Sequence, residues 1–511
     1  MSGEKKSEGL LLNRNSVEKI EVEHVKSDDS EETYDFGGES TLPRPPKLTP
    51  EQERKLYRKI DLRIIPIVTL MFLTAFLDRG NIGNAKLQGL TTQLNLTENK
   101  YNVALTMFFI PYCLVECPSN LAVKRLRPSR WLPGITVAWG IVTACMGVVK
   151  TYPQLIVMRL LLGVAEAGFF PGVVLCLTWW YPRHMLQFRV GLFWGGATLA
   201  GAFSGLLAFG ISFMNGRDGL LGWSWIFIIE GIATIAVGIL GFFFLVDFPA
   251  TASFLTPEER AYIIWRKKYD NSTVGEEEHF ALKHVWMAFS DWQLWIHIPI
   301  YMSSIGPLYS ISFFLPSIIN GFGFSATISQ LLTVPPYICA TIITILFAFW
   351  SDRVQKRSPF ILASLIMCII GFSINISRAP IGVKYFGTFF CVTGSYAAFP
   401  GVVSWLGNNM AGQYKRATGI AVHIGIGTFA GAIASNTYRS QDAPRYIIGH
   451  AIALMFVGIG LVATPLIVII YVRTNAKREA DLQRTQERGT KYSVKQLREM
   501  GDRAPDFRYT L

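Results

Sequence analysis

Residues 153–178 read PQLIVMRLLLGVAEAGFFPGVVLCLT. Two ionisable side chains, Arg159 and Glu166, interrupt an otherwise apolar run. A helix needs roughly 20 apolar residues to cross the hydrocarbon core of a bilayer, and this segment is long enough. A charge at that depth costs several kcal/mol unless it is paired or faces an internal cavity. The stretch therefore predicts a membrane-spanning helix together with a polar interior for that helix to face.

Eleven further apolar segments flank it. Together they predict α1 over 60–83, α2 over 100–123, α3 over 131–149, α4 over 153–178, α5 over 190–213 and α6 over 223–246. After a long polar stretch come α7 over 292–318, α8 over 327–350, α9 over 358–376, α10 over 384–408, α11 over 417–437 and α12 over 446–472. Six helices, a long loop and six helices predict an all-α polytopic membrane protein of two pseudo-symmetric six-helix bundles. The expected organisation is an N-terminal tail without a fold of its own (1–59), a first bundle (60–246), a central loop (247–290), a second bundle (291–472) and a C-terminal tail (473–511). Both tails are polar and lack any periodicity that demands a fold, although Pro50–Lys59 suits a short surface helix leading into α1.

Composition agrees. Half of the 511 residues are apolar, and 16% are charged against about 25% in soluble domains. A soluble enzyme, a nucleic-acid binder and a disordered scaffold are excluded. The net charge of +12 is no sign of a nucleic-acid partner, because the basic residues flank apolar runs and orient them in the lipid bilayer. The seven cysteines (Cys113, Cys117, Cys145, Cys176, Cys339, Cys368, Cys391) all fall within apolar segments and read as small core residues. Cys113 and Cys117 share a helix face, but no His or further Cys joins them, so neither a metal site nor a cofactor is expected. The N-terminus carries no signal peptide, which leaves α1 as the insertion signal.

Basic residues set the orientation. The 2–3 loop carries Lys124, Arg125, Arg127 and Arg130, the 4–5 loop Arg183 and Arg189, the 8–9 loop Arg353, Lys356 and Arg357, and the 10–11 loop Lys415 and Arg416. These share a side with both tails and the central loop, so both termini are expected in the cytoplasm. Asn95-Leu96-Thr97 is then an outward-facing glycosylation sequon, and Asn271-Ser272-Thr273 an inward-facing one that stays unmodified.

The charges inside the spans are Asp78 and Arg79 in α1, Glu116 in α2, Arg159 and Glu166 in α4, Glu230 in α6, His297 in α7 and His423 in α11. Arg159 and Glu166 are seven apart, which puts them on one face about 10 Å apart along the axis. Counting from the outer helix ends places Asp78, Arg79 and Arg159 roughly 6–9 Å below the outer surface, with Glu166 near the midplane. Asp78 and Arg159 thus meet at one depth, with Glu166 below them. Carboxylates near arginines in a dry interior are what proton coupling requires, since burial and a neighbouring guanidinium pull a carboxyl's proton affinity in opposite directions. An arginine also suits a carboxylate substrate, because its planar fork engages two oxygens at once. Glu230 reads as structural, and Glu116 suits a structural and a functional role equally. Glycines are dense in α4, α5 and α11, which suits close and mobile helix packing.

Several segments resemble a known family. LDRGNIGNAKLQGL (77–90), ECPSNLAVKRLRPSRW (116–131), RLLLGVAEAGFFPG (159–172), WWYPR (179–183), GWSWIFIIEG (222–231), SWLGNNMAGQYKRA (404–417) and QDAPRYIIGH (441–450) resemble the anion:cation symporter family of the major facilitator superfamily, in its fungal allantoate and nicotinate permease branch. The superfamily's loop signature is partly kept. In the second half Ala348 stands at its Gly, followed by Asp352, Arg353, Lys356 and Arg357, whereas in the first half Asn120 and Lys124 replace Gly and Asp. The resemblance implies gating roles for Lys124, Arg125, Asp352 and Arg353. It implies that Asp78 and Glu166 carry protons, that Arg79 contacts a substrate carboxylate and that Arg159 is a charge partner. It also implies a central cavity lined by α1, α4, α7 and α10, with Trp194, Tyr301, Tyr309, Tyr396 and His423 as candidate lining residues.

The expectation is a monomeric proton-coupled importer of a small organic anion in the plasma membrane, with small-molecule anion and protons as its partners. An exporter or nutrient sensor on the same scaffold is the first rival. A membrane-embedded enzyme is the second, but it requires clustered His, Asp or Cys, and the seven histidines form no cluster.

Overall fold

The structure, a computed structural model, describes residues 45–268, 282–443, 445–487, 497 and 500–511. Twelve principal helical passages follow one another: α1 Pro50–Leu87, α2 Glu98–Leu126, α3 Pro128–Met146, α4 in two pieces (Tyr152–Glu166 and Phe169–Trp180), α5 Arg183–Ser212 and α6 Gly222–Phe244. Then come α7 Trp292–Asn320, α8 Val334–Val354, α9 Ser358–Ile376, α10 in two pieces (Ile381–Ala397 and Phe399–Asn409), α11 Gln413–Ala434 and α12 Ile447–Glu487. Eleven of these passages are long and apolar enough to cross a membrane, and the twelfth, α3, interlocks with α6. A methyl on Gly231 of α6 would sit 2.4 Å from the Ala144 amide of α3, and one on Gly140 of α3 2.9 Å from Ile235. Small residues let these two backbones touch. Outward faces remain apolar, as at Phe243 (74% exposed) and Val462 (72%), which suits hydrocarbon.

Three helices outrun their apolar segments. Helix α1 starts ten residues before its expected boundary, at Pro50, where Thr49 and Gln52 form a reciprocal capping box that satisfies two otherwise orphaned amides. Its 38 residues reach roughly 57 Å, about twice the hydrocarbon thickness. Helices α5 and α12 likewise extend beyond the ranges expected from hydropathy. Hydropathy marks only the part of a helix that meets lipid.

The fourth helix of each half is broken. In α4 the break falls at Ala167–Gly168, with Gly168 at φ +84°; in α10 it falls at Ala398. The flanking sequences coincide: Phe170-Pro171-Gly172-Val173-Val174 and Phe399-Pro400-Gly401-Val402-Val403. Proline lacks the amide that a continuous helix needs there. The two phenylalanines meet across the molecule, their ring centroids 5.4 Å apart, so the breaks of the two halves face each other.

The loop ends bear on other expectations. Asn95 is exposed in the connection before α2, while Asn271-Ser272-Thr273 lies outside the described residues. Cys145 is exposed on α3 rather than packed in the core. Residues 500–511 are not a loose extension: Asp502, Ala504, Phe507 and Tyr509 are buried against the second bundle.

Candidate functional site

Arg79 is the centre of the polar interior. Its Nη2 lies 2.6 Å from Glu166 Oε1, and its Nη1 donates to the Tyr309 hydroxyl at 2.9 Å. The rings of Phe76, Phe108 and Tyr112 stand 5.2–5.7 Å from the guanidinium. α1, α2, α4 and α7, drawn from both halves, thus hold one cation in an aromatic cage with one carboxylate. Ring contacts and two partners on separate arms of the fork favour arginine here, since lysine offers a point charge only.

The neighbouring acid points elsewhere. Asp78 Oδ2 accepts from Trp139 Nε1 at 3.1 Å and from Thr234 Oγ1 at 3.4 Å, so it faces α3 and α6 inside the first half. Its Oδ1 is buried without a hydrogen-bond partner. The expected Asp78–Arg159 pair is corrected: no ion pair joins them among the described residues, and Arg159 Nε and Nη2 are buried without hydrogen-bond partners. Glu166 takes Arg79 as its partner instead of the arginine on its own helix. Depth along a helix does not fix rotation about its axis. Glu230 accepts from Asn81 of α1, a helix–helix clamp.

A cleft opens beside Arg79 between α1, α5, α7, α8 and α10, on the side opposite the tails, lined among others by Asn84, Ser204, Tyr309, Thr333, Tyr337 and Tyr396. Tyr309 and Tyr396 thus border this cleft, with the Tyr396 hydroxyl 2.8 Å from Ser312 Oγ. Trp194 lies behind this wall, stacked on Phe399 at 3.7 Å. Tyr301 and His423 do not line the cleft. They pack on each other (4.9 Å), and His423 Nε2 lies 3.0 Å from the His297 carbonyl. Those two residues belong to the α7–α11 packing. Asn84, Ser204, Thr333 and Tyr337 were missed, because isolated uncharged polar residues in or beside apolar helices give no signal against ordinary packing or capping. The repeated Phe-Pro-Gly-Val-Val was a readable pointer to the aromatic centre.

On the tail side the halves touch through the loop signature. Asp352 accepts from the Phe188 amide of α5 at 2.6 Å and from Arg357, while Ser351 Oγ donates to Gln187 Oε1 at 2.7 Å. Arg357, not Arg353, is the partner of the carboxylate; Arg353 and Arg125 are exposed, and the side chain of Lys124 lies outside the described residues. A bidentate pair that the sequence did not suggest, Arg189 to Asp61 (3.1 and 2.9 Å), joins α5 to α1 nearby. On the opposite side Asn436 Nδ2 donates to Thr106 Oγ1 at 2.9 Å, joining α11 to α2. Contacts between the halves thus lie both above and below Arg79.

The model of the Major Facilitator Superfamily matches residues 68–463. The high-affinity nicotinic acid transporter of Saccharomyces cerevisiae is 32% identical over 459 residues, covering 89% of this chain and 85% of that protein. The MFS-type transporter cnsO of Penicillium expansum is 34% identical over 470 residues, 90% of each. Among solved structures, the proton:xylose symporter XylE bound to 6-bromo-6-deoxy-D-glucose superposes with a TM-score of 0.58 at 17% identity, covering 78% of this chain and 94% of that one. Twelve helices in two bundles, with the cage between them, and these matches lead to one conclusion: the chain is a transporter that belongs to the major facilitator superfamily.

Proposed function

We propose that the protein is a proton-coupled importer of a small organic anion, a nicotinate-like carboxylate, working by alternating access in the plasma membrane with both termini in the cytoplasm. The observation that carries the reading is the Arg79 guanidinium, paired with Glu166 at 2.6 Å, caged by aromatic rings and bordering the cleft. A substrate carboxylate and Glu166 compete for that guanidinium. Protonating Glu166 removes the competitor and frees the fork for two substrate oxygens. Proton and anion then enter together, and neither is held well without the other. Aromatic faces beside the cation suit a flat ring on the anion. Asp78, one residue away and buried, is the second proton carrier. The nicotinic acid transporter similar to this chain supports the choice of substrate class.

Labelled nicotinate uptake into proteoliposomes under an imposed pH gradient tests it. The wild type accumulates nicotinate when the outside is acidic. Asp78→Asn and Glu166→Gln lose that accumulation but keep nicotinate exchange. If both variants still accumulate substrate against its gradient, the coupling scheme fails. Efflux without uptake under the same gradient assigns export instead.

A further inference from the structure

Glu116 is buried in α2 and has no assigned work. Its side chain is inaccessible, and neither carboxylate oxygen has a hydrogen-bond partner. It lies on the seam between the halves: a methyl placed on Gly425 of α11 would stand 3.1 Å from Glu116 Oε2 and 3.4 Å from the Cys113 carbonyl. Glycine at 425 is what lets α11 lie directly against the carboxyl group. One turn further toward the tails, Asn120 Nδ2 donates to the Ala417 carbonyl of α11 at 2.8 Å and closes the same seam. One turn the other way, Tyr112 forms a wall of the Arg79 cage. Glu116 therefore sits between the Arg79 site and the tail-side seal, about 15 Å from the end of α2.

The groups facing it leave no ion pair. Arg79 of α1 is the cation that acts on it, but Arg79 is bound to Glu166 of α4. From α7 the facing titratable groups are Tyr301 and Tyr309, from its own helix Tyr112, Cys113 and Cys117, and α11 presents Gly425. Among the described residues none supplies a compensating positive charge within 4 Å of it. An isolated carboxylate in a dry interior is far too costly to persist, so with the seam closed this group carries a proton. Once ionised, it must recruit water or a cation, and with α11 in contact at Gly425, parting α2 and α11 makes room for either.

We propose that Glu116 is a proton-binding site built into the seam between the two halves, and that loss of its proton opens the α2–α11 contact toward the tails. The ligand is a hydron bound at a carboxylate oxygen and released on the tail side, with no other bond made or broken. The proposal rests on the proton-coupled reading above and adds a group that gates the seam rather than holding the anion.

The test reads the seam, not transport. Spin labels are placed at Leu126 and Val354, exposed residues at the tail-side ends of α2 and α8, in a cysteine-free full-length chain in nanodiscs. Their distance distribution is measured across pH. The wild type gains a longer-distance component as pH rises. Glu116→Gln, which mimics the protonated acid, loses that component at every pH, and Glu116→Asp keeps it at a shifted midpoint. A Glu116→Gln distribution that still lengthens with the wild-type midpoint overturns the proposal, as does a wild-type distribution that ignores pH. If instead Asp78→Asn abolishes the pH response while Glu116→Gln retains it, the coupled reading stands and the Glu116 site falls. If nicotinate accumulation fails while Glu116→Gln alone fixes the short distance, the seam site stands and the choice of transport reaction falls.

Discussion

Asp78 and Arg79 are adjacent in the chain, and a helix turns about 100° between neighbours. One faces the cleft and the other faces α3 and α6, so they cannot share a partner. Arg79 holds Glu166, Tyr309 and three rings at once, which no ammonium reproduces. Arg79→Lys is expected to raise the KM for nicotinate uptake by at least about tenfold, a loss of roughly 1.5–3 kcal/mol for a charge-assisted hydrogen bond, with less effect on protein yield. The concentration dependence of uptake checks it, and an unchanged KM removes Arg79 from the binding site. At this scale the sequence was legible in part. It identified the charged residues that the structure buries, because a charge inside an apolar run stands out in the sequence. It missed which arginine meets Glu166, because rotation about each helix axis is set by packing against neighbours.

The broken helices show what a hydropathy reading overlooks at the scale of an element. Gly168 and Pro171 interrupt α4 without interrupting its apolar character, so 153–178 looks continuous although it folds as two pieces. Gly168 is held at φ +84°, and a methyl there would stand 2.0 Å from Ser119 Oγ of α2. Gly168→Ala therefore combines a left-handed backbone cost of about 1–2 kcal/mol with overpacking of about 1–3 kcal/mol. A clear drop in the detergent melting temperature is expected. Gly210→Ala in α5, where nothing lies within 4 Å of the added methyl, should leave it unchanged or raise it slightly. Equal melting temperatures for the two variants would contradict the break as described. The companion break at Ala398 was legible in principle, because the Phe-Pro-Gly-Val-Val repeat places it at the same point of the second half.

Across the whole molecule, residues 500–511 tie the tail-side ends of one half together. Trp405 Nε1 of α10 donates to the Thr510 carbonyl at 2.7 Å, Asn475 of α12 exchanges two hydrogen bonds with Tyr509, and the Arg357 amide before α9 donates to the Leu511 carbonyl. Lys415 of α11 lies 2.6 Å from Asp291, before α7, and 2.8 Å from Asp502. All these anchors belong to the second half, so the segment stiffens that half as one body against the other. Its contacts come from a few unevenly spaced side chains, which is why no periodicity announced it. Lys415→Met leaves Asp291 and Asp502 facing each other without their cation, and breaking a buried pair in this way costs about 3–5 kcal/mol. Residues 500–511 are then expected to detach and to be cleaved in limited proteolysis while the remaining chain stays resistant. The same three groups give the docking a pH dependence. Two carboxylates share one ammonium, and burial holds the Asp502 carboxyl above its ordinary value although Lys415 pulls it down. The docked state thus binds the proton more tightly than the free segment. Its added stability is full below the ordinary carboxylate range and is lost as pH rises through the raised value. Cleavage of this segment should accelerate from acid toward neutral pH, and Asp502→Asn should flatten that profile. A profile that steepens in the variant would show that another group governs the docking.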